Sequence, residues 1–328
     1  MAHELSIAAD GRAEMAYVGS ATPWHGLGQT IDPNATPEEW QRAAGIEWEA
    51  KRTPVVFNNI KDEYQQWDDK HVLYRSDTGM PLSVVSDDYQ IVQPAQVMGF
   101  FGTLAEQGGF QIETVGAIRE GRRIWALARV GENAKIMDDE VAPYLLLATS
   151  YDASMATVAK FTTVRVVCNN TLQASLKNNA GKKQVSIPHS ALFKPEQVRT
   201  GLGIALNSWE EFKLKAGAMA TMKITDKVMD DYLQELLEPF IPYGTTYNPE
   251  KVRASKGYQR VTQLFHGGQL GTGQEAINGS VWGLVQAVGQ YVDHEKGRLQ
   301  DNRLDAAWFG PGAKIKDAAW ELAEKVAA

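Results

Sequence analysis

The sequence predicts an α+β protein: a mixed, mostly antiparallel sheet with flanking helices in the first half, and a helical second half. Three observations predict it. Apolar residues alternate at period two, or run in short β-branched stretches, as far as Val164. From Val198 onward they recur at period 3.6. The 328 residues are 44% apolar and 22% charged, the composition of a globular chain long enough to bury a full core without covalent staples. The division expected from this is a loose tail over 1–22, a sheet domain over 23–190 and a helical region over 191–328.

Residues 1–22 are polar and without period. Thr36 precedes Pro37, Glu38 and Glu39, so a helix starts there, runs through Trp40 to Ala44 and stops near Gly45. Strands follow over Trp48–Phe57, Tyr64–Arg75 and Leu82–Val85, the last two joined by a turn at Asp77, Thr78 and Gly79. Pro94 to Ala105 is helical, with Val97, Phe100, Phe101 and Leu104 on one face. Phe110–Ile118 and Arg123–Val130 form a hairpin about Glu120 and Gly121. Tyr144–Thr149 and Met155–Val164 complete the strands. Four helical stripes follow: Val198 to Ala216, Val228 to Leu237, Val281 to Val292 and Ile315 to Val326. Between the second and third, Pro239 to Gly273 is rich in glycine, tyrosine and polar residues and reads as a mobile connection.

One cysteine, Cys168, excludes an internal disulfide and Cys-x-x-Cys zinc sites; in its apolar surroundings it reads as a buried small hydrophobe. No apolar run reaches the roughly 18 residues of a membrane span. The first residues lack the basic and apolar regions of a signal peptide, so a cytoplasmic protein without membrane contact is expected. Enzyme signatures are weak. Gly267 to Gly273 has glycines but no lysine, and Gly201-x-Gly203 lacks a preceding strand and a third glycine. No histidine pair has metal-ligand spacing on one helix, and no cofactor is expected.

The net charge of −7 is unevenly spread: residues 151–227 carry +6 and the remainder −13. Aromatic side chains beside cations are the parts of a single-strand site, where bases stack and phosphates are neutralised. Two clusters have this composition. One is Arg122, Arg123 and Trp125 in the central hairpin; the other is the loop with Lys177, Lys182 and Lys183, approached by Lys160 and Arg165. Either could equally be solvated surface, and Trp125 could pack in the core.

Several short motifs resemble, in order, those of the uncharacterised phage/plasmid-like proteins, a domain-of-unknown-function family from mobile elements. They are Thr22-Pro-Trp-His-Gly-Leu-Gly28, Ala44-Gly-Ile-Glu-Trp48, Asp88-Tyr-Gln-Ile-Val-Gln-Pro94, Gly121-Arg-Arg-Ile-Trp125, Val164 to Leu172, and Tyr291-Val-Asp-His294. Where that family has a His-Asp-Gly-Ser-like stretch, this chain has Tyr151-Asp152-Ala153-Ser154. The resemblance implies a mobile-element origin and no defined biochemistry. A small sheet with a basic hairpin and flanking helices also looks, at the level of fold analogy, like phage single-strand annealing proteins.

The expected function is therefore binding of single-stranded DNA, in annealing or protection during recombination or replication, by a homo-oligomeric ring or filament. A structural or interaction protein, for example one acting against a host defence, is the alternative. A metal-dependent nuclease using Asp152, Asp293 and His294 is the second alternative.

Overall fold

Both faces of the central sheet are covered, and this decides where the described candidate residues of the strands Arg123–Val130 and Thr157–Arg165 lie. The computed structural model describes residues 5–8, 10–19, 27–106, 110–165, 171–172, 185–194, 205–240, 248–267, 277–297 and 303–328. The strands are β1 (Met15–Val18), β2 (Gln29–Ile31), β3 (Ala50–Asn58), β4 (Tyr64–Arg75), β5 (Pro81–Ser86), β6 (Phe110–Ile118), β7 (Arg123–Val130), β8 (Ala134–Ile136), β9 (Asp139–Ser150), β10 (Thr157–Arg165), β11 (Thr171–Leu172) and β12 (Val185–Ile187). A nine-stranded sheet has the order β11-β10-β9-β7-β6-β1-β2, with β12 on β10 and β8 on β9; a three-stranded sheet has the order β3-β4-β5. All pairings are antiparallel except β1 with β2. Strands lie in the first half and helices mostly in the second, so the chain is α+β.

The first helix, α1 (Pro37–Ala44), forms for the reasons its sequence suggests. The Thr36 hydroxyl accepts from Glu39 N–H while the Glu39 carboxylate accepts from Thr36 N–H, and Gly45 ends the helix at φ 67°. Such caps are worth about 1 kcal/mol each. Helix α2 (Pro94–Glu106) packs with α1 on one face of the large sheet. There Ala16, Val115, Ile124, Ala126, Leu145 and Leu147 meet Trp40, Val97 and Phe101. The opposite face carries Met15, Trp125, Leu127, Leu146 and Val158. It is covered by α3 (Ala205–Thr221), α4 (Asp226–Leu237), α5 (Pro249–Arg253), α6 (Lys256–Gly267), α7 (Val281–Gln290), α8 (Arg303–Trp308) and α9 (Pro311–Ala327). Phe212 of α3 is the hub of this layer. It stacks on Trp209 at 5.4 Å and Trp320 at 5.1 Å, and meets the edge of Trp282 at 5.9 Å. Trp282 in turn donates its Nε1–H to Asp139 of β9 at 2.9 Å, tying helices to sheet.

Two expectations need correction. Part of the supposed tail, Met15–Val18, is a buried strand inserted between β6 and β2. Four residues are too few to show a period, and its inward positions include a small Ala16. The connection expected over Pro239 to Gly273 contains two helices: α5, capped by Asn248, and α6, which buries Val261, Leu264 and Phe265. That i, i+3, i+4 spacing was present among the glycines and polar residues. The rest of that stretch, 241–247 and 268–273, lies outside the described residues.

Candidate functional site

The central hairpin places its arginines and tryptophan inside the protein. β7 is sandwiched between β6 and β9, and all but one of its eight residues are buried. Trp125, 2% exposed, lies over Gly116 of β6, where a Cβ would come within 3.0 Å of the indole. Its ring meets Trp308 of α8 edge to face at 5.0 Å. Arg123, 7% exposed, is ion-paired to Asp305 of α8, which also takes Arg119 at 3.0 Å. Arg123 Nη2 donates to Ser154 Oγ at 2.8 Å. Arg122 is partly exposed. It braces the turn by donating to Leu82 O at 3.2 Å and pairing with Glu120 at 2.7 Å.

Lys160 of β10 also points to the helical layer, donating to Trp308 O at 2.9 Å beside the Phe309 ring. Burial, reinforced by Lys316 and opposed by Asp317, lowers its pKa to about 7. Three candidates for strand contact, Arg123, Trp125 and Lys160, thus join sheet to helices in this conformation. A strand lying on the surface would not reach them. The side chain of Arg165, together with Lys177, Lys182, Lys183, Cys168 and the Gly201-x-Gly203 pair, lies outside the described residues.

Three of the sequence motifs, 44–48, 88–94 and 121–125, converge at the end of the sheet where this hairpin turns. Gly121, at φ 89°, would drive a Cβ to 2.9 Å from the Arg75 guanidinium and 3.0 Å from Trp48. Arg75 is buried against Glu14 at 2.6 Å and stacks over Trp48 at 4.6 Å. Tyr151, fully buried, meets the edge of the same indole at 5.3 Å and donates to Val92 O at 2.8 Å. Tyr89 donates to Ser150 O at 2.7 Å and stacks on His189 at 4.4 Å. Gln93 clasps both backbone groups of Ala50, each at 2.9 Å. These residue types are explained as joints of the fold.

Above the joints lies a groove of about 400 Å³ lined by residues that include Ser86, Asp88, Tyr89, Ser154 and His189. Ser154 donates to Asp152, and Ala153 between them sits at φ 56°, the region in which glycine is at ease. The resembling family has glycine there. The His189 pKa is lowered by burial, against backbone hydrogen bonds to Gln90 and Met155 and the charge of Asp152. The Asp88 carboxylate, hydroxyls and the His189 imidazole suit a hydrogen-bonding ligand better than a phosphate. For the nuclease alternative, Asp293 sits on a π-helical turn, Tyr291–Glu295, and pairs with the fully buried Lys316 at 2.6 Å. No cluster of three metal-ligating side chains occurs among the described residues.

Sequence reasoning expected strands at β3 and β4 but gave them no functional role. Their hairpin carries Val56 (56% exposed), Phe57, Ile60 (104%), Tyr64 (81%) and Trp67 in solvent. By register, Val55 and Phe57 share one face with Trp67; Val56 and Tyr64 lie on the other. The tip is well formed, with Asn58 donating to Asp62 at 3.2 Å and Asn59 to Glu63 at 3.1 Å. An exposed aromatic on each face of one hairpin was the available signal. No helix among the described residues is long and apolar enough to cross a membrane.

Residues 81–308 match the family described as a domain of unknown function, DUF932. No curated protein and no solved structure matches the chain.

Proposed function

The chain belongs to the DUF932 family, and on that premise we propose that it is an interaction protein of a mobile genetic element, working by docking its β3–β4 arm on another protein chain. One observation carries the reading: five large apolar side chains stand in solvent on one antiparallel hairpin. Surface apolar residues gathered in this way mark an interaction site. The arm's charge supports a protein partner over a polyanion, since Asp62, Glu63, Asp68 and Asp69 outnumber Lys61 and Lys70 along its outer part. The mobile-element origin rests on the ordered motifs.

Single-stranded DNA binding, with annealing or protection as a homo-oligomer, is the second reading. The +6 charge of residues 151–227 favours it, through Lys177, Lys182, Lys183 and Arg165. Arg123, Trp125 and Lys160 give it no support.

A salt titration of binding to a labelled single-stranded oligonucleotide separates the two. The interaction reading expects no tight binding at about 50 mM salt. Tight binding whose salt slope falls by about 0.7 for each cation lost in Lys182→Glu/Lys183→Glu would overturn it in favour of the second.

A further inference from the structure

We propose that helix α8 is a proton-gated flap, closed over Arg123 and Trp125 of the sheet and released when the Lys160 amine takes up a proton. A helix of six residues does not hold by itself. What holds α8 is contact. Asp305 pairs with Arg119 and Arg123, the Trp308 ring meets Trp125, and Lys160 Nζ donates to the carbonyl of Trp308, the last residue of the helix. The helix also rests on the first turn of α9, where a Cβ on Gly312 would come within 2.8 Å of Ala306 O. Helix α9 has anchors of its own: Trp320 on Phe212, Lys316 on Asp293, and Ala319 O accepting from the Tyr232 hydroxyl at 2.5 Å. Release of α8 therefore leaves α9 in place, with Gly310 between the two.

Guanidinium–carboxylate pairs do not titrate near neutral pH. Lys160 does. Among the described residues no carboxylate bonds to it; around its Nζ are the Trp308 carbonyl, the Phe309 ring at 5.7 Å, and Lys316 and Asp317 of α9. The neighbouring strand, β9, presents Leu146 opposite it. The other charges nearby are matched, Asp293 with Lys316 and Asp305 with the two arginines. Burial outweighs the attraction of Asp317, so the pKa is about 7 in the closed form. With α8 lifted the amine meets water and returns towards 10.5. Between these values opening takes up one proton, so acidification favours the open form, by about 50-fold from pH 9 to pH 7. His294, on the π-helical turn that α8 packs against, is the other side chain able to titrate in this range. Opening uncovers the Arg123 guanidinium and the Trp125 indole, which the closed form keeps from solvent.

Backbone hydrogen exchange of the full chain at pH 7 and pH 9, referred to the intrinsic rate at each pH, tests this. At both values residues 303–309 should open at least about 100-fold more often than residues 315–323 of α9. In the wild type their opening constant should be about 50-fold larger at pH 7 than at pH 9. Lys160→Met should keep the difference between the two segments and lose the pH dependence. Lys160→Gln, which retains a donor for Trp308 O without a charge, should do the same, and His294→Gln should behave as the wild type. Equal opening of the two segments, which the wild type alone decides, would mean that α8 comes away only when the helical layer unfolds. A wild-type pH response no larger than that of the Lys160 variants, or one lost in His294→Gln, would put the proton elsewhere. Each of these results overturns the flap.

Discussion

Two hairpins of similar composition meet opposite fates in this molecule. The β6–β7 hairpin has arginines and a tryptophan near its turn, and so do cations and a tryptophan mark the β3–β4 arm, yet the first is interior and the second stands in water. What differs is the spacing of apolar residues, not their kind. β7 reads Ile-Trp-Ala-Leu-Ala between its arginines, apolar on both faces, which only a strand covered on both sides sustains. β4 begins Tyr-Gln-Gln-Trp-Asp-Asp-Lys, polar on both faces with isolated aromatics. An arginine beside a tryptophan is thus no guide to a binding surface until the strand around it is known to have an open face.

Truncation should show this contrast most strongly. Trp125→Ala should cost about 3–5 kcal/mol in chemical denaturation by leaving a cavity, and Arg123→Ala should cost less, since Arg119 still pairs with Asp305. Equal stability losses from Trp67→Ala and Trp125→Ala would erase the distinction between the hairpins.

The next effect depends on pH. Lys160 has a pKa of about 7 in the folded chain and 10.5 as its ordinary value. Between these values the unfolded chain holds a proton that the folded chain lacks, so stability should rise with pH. From pH 7 to 9 the wild type should gain on the order of 2 kcal/mol relative to Lys160→Met. Parallel stability curves for the two proteins would place this ammonium in water. Ala153→Gly should be smaller still and of opposite sign to most substitutions, stabilising by about 1 kcal/mol through relief of the left-handed backbone. Trp67→Ala should fall within about 0.5 kcal/mol of the wild type.

Much of the fold was legible because it rests on local signals. Thr36, Pro37, Glu39 and Gly45 mark a helix by capping chemistry alone, and the bounds of β4, β6 and β7 follow from apolar runs between turns. Elements without a local signal were missed. β1 is too short, α5 is five residues long, and α6 lies among glycines. The groove was less legible than the fold, because Asp88, Asp152 and His189 are brought together by distant segments. The positive φ of Ala153 carried no signal in the sequence that was read as such.

The most direct test of the contrast is backbone hydrogen exchange, followed by peptide, with and without single-stranded oligonucleotide. The account predicts that residues 123–130 exchange slowly and identically under all conditions. Residues 54–67 should exchange faster than these, with no response to oligonucleotide. Protection of residues 119–130 on adding oligonucleotide, or exchange as slow in the arm as in β7, would contradict it.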